Sequence, residues 1–98
     1  DGEYRKILDE IISSNWMAQS IPPNIHTHGL TGATIVEFVV KRSGKVKRIR
    51  LRATSGVKLL DEVAIRSIPK RLPRLPKTLK RRKMKHRYIF HYINPAVH

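Results

Sequence analysis

The chain has 98 residues, 40% of them hydrophobic, which allows one compact domain with a modest core and no more. It has no cysteine, so a disulfide scaffold and a thiolate metal site are excluded. The formal net charge of +14 points to nucleic acid, an anionic membrane or an acidic protein partner, and only the patterning can choose among them.

No apolar run approaches the roughly 20 residues of a membrane-spanning helix. The chain opens on a polar, helix-like segment with no signal-peptide pattern. It reads as a soluble domain cut from something longer.

In chain order, Tyr4, Ile7, Leu8, Ile11 and Ile12 fall at i, i+3, i+4, i+7 and i+8, one stripe of an amphipathic helix. Arg5, Lys6, Asp9 and Glu10 occupy its other faces, and Glu3 sits in the first turn, where the helix dipole favours an acid. Ser13, Ser14 and Asn15 are expected to end it, with Trp16 packing over the end. Ile21 to Gly32 holds Pro22, Pro23, His26, His28 and two glycines, and reads as loop. Thr34 to Val40 is a β-branched strand containing Phe38. Arg42-Ser43-Gly44-Lys45 is a hairpin turn, with Gly44 free to take positive φ.

The next strand alternates: Ile49, Leu51 and Ala53 on one side, Arg48, Arg50 and Arg52 on the other. Period two with that contrast predicts one buried and one wet face. After Ser55-Gly56, a second helix runs from about Lys58 to Ile68, with Leu60, Ala64 and Ile68 on one stripe and Val63 beside it. Pro69, Pro73 and Pro76 then impose an irregular connector. A basic run follows from Lys77 to Lys85. Tyr88 to Ile93 is the last strand, with Tyr88, Phe90 and Tyr92 on one face and Arg87, Ile89, His91 and Ile93 on the other.

The order α-β-β-α-β defines an α+β fold. The first strand is apolar on both faces and belongs in the centre; the arginine-bearing strand suits an edge. The expectation is a three-stranded antiparallel sheet ordered 2-1-3, with both helices on one face and a right-handed crossover through the second helix.

Catalysis finds little support. The serines sit at helix ends and turns, no glycine-rich phosphate loop exists, and dipole compensation accounts for Asp61 and Glu62 at a helix start. His26 and His28 in the loop would need further ligands to hold zinc. His86 and His91 have opposite strand parity, so all four read as solvated side chains, with no metal site and no cofactor. Nucleic acid is the serious alternative, because Lys77, Lys80, Arg81, Arg82, Lys83 and Lys85 form a run and Arg48, Arg50 and Arg52 a stripe. Single-strand readers also expose aromatics for stacking, whereas Phe38, Tyr88, Phe90 and Tyr92 here share the face needed for the core. The last strand ends the fold with no later element to cover it, and an uncovered edge invites strand addition by a partner peptide.

Five pieces in order resemble the TonB C-terminal domain family across nearly the whole chain, residues 1–98. Tyr4, Ile7 and Ile11 followed by Trp16 are similar to its opening helix and trailing tryptophan. Gly32-Ala33-Thr34-Ile35-Val36-Glu37-Phe38-Val39-Val40, then Ser43-Gly44-Lys45-Val46, is similar to its hairpin. Thr54-Ser55-Gly56, then Leu60-Asp61 and Ala64, resembles its helix entry; Leu72-Pro73 and Leu75-Pro76 its exit; Phe90-His91-Tyr92 its final strand. TolA-like domains share the general plan, but their usual cysteine pair is absent here.

The resemblance implies a non-enzymatic periplasmic domain of a single-pass inner-membrane protein, an energy transducer working with an ExbB/ExbD-type motor. Its expected partners are TonB-dependent outer-membrane transporters for iron-siderophore complexes, haem or cobalamin, contacted through their TonB box. The expected partner-binding strand is Arg87, Tyr88, Ile89, Phe90, His91, Tyr92 and Ile93. An exposed edge also permits strand-swapped homodimers.

Overall fold

A computed structural model describes residues 1–19 and 32–92. Five elements follow in order: α1 (Gly2–Met17), β1 (Gly32–Lys41), β2 (Val46–Ala53), α2 (Lys58–Arg66) and β3 (Lys83–Tyr92). The strands form one antiparallel sheet ordered β2-β1-β3. This is the expected α+β arrangement, and β1 is central for the expected reason, being apolar on both faces. The loop expected over Ile21 to Gly32, with His26 and His28, lies outside the described residues except for Gly32, which opens β1.

One face of the sheet carries the core. Val36, Phe38 and Val40 of β1 and Met84 and Phe90 of β3 meet Tyr4, Leu8 and Ile12 of α1. Ala64 and Ile68 enter from α2 and its exit, and Leu72 and Leu75 from the connector. Phe38, Leu8, Ile12, Val36 and Val40 are fully shielded from water. Each such side chain contributes about 1.5–3 kcal/mol by leaving water.

Helix α1 runs further than its serines suggest. Ser13, Ser14, Asn15 and Trp16 are helical, and the helix ends at Met17. Tertiary contacts outweigh weak propensity there: the Asn15 side-chain amide donates to the Ser67 carbonyl at 3.1 Å, and the Trp16 ring packs on Phe90 with centroids 4.9 Å apart. At the other end of the helix, the Tyr4 hydroxyl donates to the Pro73 carbonyl at 2.6 Å.

The hairpin turn forms as expected, with Gly44 at φ 92°. A side chain there would meet the Leu72 carbonyl as well as the backbone strain, since the connector lies directly against the turn. Leu72 N–H donates to the Gly44 carbonyl at 2.8 Å, Val46 N–H to the Lys70 carbonyl at 3.0 Å, and Leu75 N–H to the Arg42 carbonyl at 3.2 Å. The Arg42 guanidinium donates to the Leu79 and Arg81 carbonyls, both at 2.7 Å. The irregular connector thus satisfies backbone groups that no helix or strand partner serves.

Strand β2 departs from its alternation. Ile49 is 37% and Leu51 42% exposed, so the expected buried face is largely open. The pairing explains this. Val39 faces Lys47 and Glu37 faces Arg50, so Arg48 and Ile49 both lie opposite Phe38; Val36 faces Leu51 and Ile35 faces Ala53, so Arg52 is a second extra residue. Two bulges in eight residues bend the strand, and Arg48 takes φ 54° at the first. The helices cover β1 and β3 more than this edge.

Candidate partner-binding edge

Strand β3 begins at Lys83, taking in the end of the basic run, five residues before the expected start at Tyr88. It pairs with β1 in ten consecutive registers, from Gly32 opposite Tyr92 to Lys41 opposite Lys83. No bulge interrupts them. Among the described residues, no strand lies beside its other edge. Six of the seven residues assigned to partner binding, Arg87 to Tyr92, therefore lie on one straight edge strand; Ile93 is outside the described residues.

The register sorts β3 into two faces. Met84, His86, Tyr88 and Phe90 share the core face with Phe38 and Val36. Phe90 is buried, so among the assigned residues it is a core anchor and not a contact. Tyr88 is half-buried and borders a shallow cleft of about 600 Å³, lined also by Lys6, Asp9, Glu10, Ser13 and Met17 of α1. On the opposite face stand Lys83, Lys85, Arg87, Ile89 and His91, all exposed; Ile89 is 48% exposed, an apolar side chain set in a cationic row.

That opposite face is strongly charged. The three strands hold eight lysines and arginines and one acid, Glu37. Arg87 Nε donates to Glu37 Oε2 at 2.7 Å, and Lys85 Nζ lies 3.9 Å from Oε1. The Arg87 hydrogen bond, helped by the Lys85, Arg52 and Arg87 charges and opposed by partial burial, holds the Glu37 carboxyl below its ordinary pKa. On the same sheet, Lys41 crowds Lys47 by hydrogen bonding and charge, and with some burial and the Arg48 charge this lowers the Lys47 pKa.

Two polar groups read as ordinary in the sequence are structural nodes. His86 is 5% exposed, not solvated. The Arg5 guanidinium, which can only donate, lies 3.0 Å from its Nδ1 and donates also to the Lys85 carbonyl at 3.0 Å. Nδ1 must accept, so Nε2–H donates to Asp9 Oδ1, 2.7 Å away. This group ties α1 to β3.

Asp61 is likewise more than a dipole partner. It is 8% exposed and accepts from Thr34 Oγ1 at 2.8 Å, Ser55 N at 3.0 Å, Ser55 Oγ at 2.9 Å and Thr54 Oγ1. Burial pushes its carboxyl up, but these four hydrogen bonds together outweigh burial and leave its pKa lowered. Sequence reasoning missed Glu37 and the Lys83-Lys85-Arg87 row. The signals were present: a lone acid within an apolar strand, and cations at i, i+2, i+4.

The family model described as the Gram-negative bacterial TonB protein C-terminal matches residues 19–93. The chain belongs to this family. A search of curated proteins returned no match. Among solved structures, the fold is similar to the NMR solution structure of the Helicobacter pylori TonB C-terminal domain, residues 179–285. The TM-score is 0.73 and the identity 19%, over 95% of this chain and 82% of that one. The NMR structure of residues 194–285 of the same protein is also similar, with TM-score 0.68 and 18% identity over 97% and 98% of the two chains.

Proposed function

We propose that this domain is the periplasmic, receptor-contacting end of a TonB-type energy transducer. It binds the TonB box of outer-membrane transporters by strand addition along β3 and passes on force that an ExbB/ExbD-type motor draws from the inner-membrane proton gradient. The transported cargo is an iron-siderophore complex, haem or cobalamin. An inner-membrane anchor and a spacer belong to the same protein, and the domain itself carries out no catalysis.

The observation that carries this reading is the difference between the two sheet edges. The β3 edge is straight, ten residues long and unbroken; the β2 edge is bent by two bulges, a device that discourages strand pairing. Main-chain pairing reads few side chains, which suits one domain serving several receptors.

The test is residue-by-residue NMR titration with a transporter N-terminal peptide, combined with proline scanning from Arg87 to Ile93. The two edges of a strand use the amides of alternate residues, so lost binding should show a two-residue rhythm with the fold retained. Uniform tolerance of proline, or amide shifts confined to β2, would refute the site.

The cationic sheet face keeps a nucleic-acid reading in view. That reading expects tight duplex binding that falls steeply with salt. Micromolar duplex affinity at physiological salt, with no response to peptide, would establish it in place of the transducer.

A further inference from the structure

The two faces of β3 differ so sharply that they specify the side chains of an incoming strand. A strand added at this edge places each residue beside a β3 residue on the same face, with Cβ atoms about 4.5–5.5 Å apart. On the open face those neighbours are Lys83, Lys85 and Arg87, then Ile89. On the helix side they are His86, buried and already engaged by Arg5 and Asp9, and Tyr88 at the α1 cleft. We infer that the preferred partner strand is acidic at alternate positions: carboxylates opposite Lys83, Lys85 and Arg87, an apolar residue opposite Ile89, and small or apolar residues turned towards the α1–Tyr88 cleft.

This inference rests on strand addition at β3 and adds to it a rule for the partner's sequence. Three observations carry it. The cations recur at the sheet period along the free strand, so one face of an extended peptide meets all of them. The charge is only partly answered within the domain, because Glu37 is the sole acid of the three strands and is shared between Arg87 and Lys85. Lys83 lies at the end away from Glu37, opposite another cation, Lys41. A carboxylate arriving beside Lys83 and Lys85 relieves like-charge crowding as well as forming new pairs. A basic partner strand would add to that crowding, so the row also rejects wrong partners.

The ligand class is therefore an extended acidic peptide. A generic polyanion would follow charge alone and spread over Lys47, Arg48, Arg50 and Arg52 of β2 as readily as over β3.

The test uses this chain, labelled with ¹⁵N, and two synthetic ten-residue peptides. One alternates glutamate with valine or threonine; the other has glutamine in place of every glutamate. Both are titrated at low and at physiological salt, against the native chain and against the K83Q/K85Q variant, whose two changed side chains are exposed. The inference expects β3 amide shifts with both peptides and roughly tenfold tighter binding of the glutamate peptide at low salt, from three cross-strand charge pairs. That preference should shrink in K83Q/K85Q and with added salt. Equal binding of the two peptides, with β3 shifts, would overturn the acidic preference and leave strand addition standing. Shifts centred on β2 with the glutamate peptide would also overturn it, as generic anion binding. Absence of β3 shifts with either peptide would remove strand addition and the inference together.

Discussion

Replacing Asp61 should uncouple three parts of the fold at once. Its carboxylate takes hydrogen bonds from Thr34 on β1, from Thr54 just past β2, and from Ser55 before α2. Thr34 is 2% exposed, so its hydroxyl cannot turn to water when the acceptor goes. A stranded buried donor costs about 1–3 kcal/mol. Thr54 and Ser55 are more open and can rehydrate, adding about 1 kcal/mol between them. Asp61→Asn should therefore lose about 2–4 kcal/mol despite keeping the side chain's shape, because a carboxamide turns an NH₂ towards donors. That is a large fraction of a small domain's total stability.

The charge makes a second signature. The folded-state pKa of Asp61 is lowered, so its stabilisation is fully present above the unfolded-state value of about 3.9 and is lost as pH falls through the folded value. The gap between native and Asp61→Asn stabilities should thus be widest at neutral pH and narrow in acid. Urea denaturation followed by the fluorescence of Trp16, at pH 7 and at steps into the acid range, measures both. A loss under about 1 kcal/mol at pH 7, or a gap unchanged in acid, would refute the reasoning.

Other outcomes follow from the same geometry. Phe38→Ala, at a fully buried position edge-on to His86, should cost about 3–5 kcal/mol in urea denaturation. Gly44→Ala should destabilise more than Gly56→Ala. Both positions have positive φ, but only at Gly44 does the new methyl meet backbone, and parallel denaturation curves will rank them. Tyr4→Phe should lose about 1 kcal/mol with the hydrogen bond to Pro73. Comparing ultraviolet titrations of the native chain and Tyr4→Phe should show Tyr4 ionising above the ordinary range, because burial raises its pKa.

Much of the fold was legible because its signals are local. The stripe through Tyr4, Leu8 and Ile12 needs only helical geometry, and the Ser43-Gly44 turn needs only the freedom of a glycine. The two apolar faces of β1 placed it in the centre of the sheet. What escaped depends on pairing between distant segments. Arg48, Arg50 and Arg52 alternate regularly on paper, but register is set against β1, and two extra residues there bend the strand and expose Ile49 and Leu51. His86 read as solvated because the group that makes its burial tolerable, Asp9, is 77 positions away. Asp61 had a sufficient local explanation in the helix dipole, which concealed its hydroxyl partners. The edge strand was located, but its start was not: Lys83 and Lys85 look like part of a basic tail until the ladder with β1 extends to them.

The connector between α2 and β3 has a practical consequence for the handling of this chain. Lys70, Arg71, Arg74, Lys77, Lys80, Arg81 and Arg82 place seven trypsin sites in a stretch that forms no helix and no named strand. Composition alone marks it for cleavage. A protease must draw several residues of extended backbone into its own cleft, and here the amides of Leu72, Leu75 and Leu79 and the carbonyls of Lys70, Pro73, Leu79 and Arg81 are already bonded. Nicking consequently has to wait until the hairpin tip lets go. Limited digestion then reports how often the tip opens, and a basic, proline-broken segment behaves towards proteases as part of the folded body.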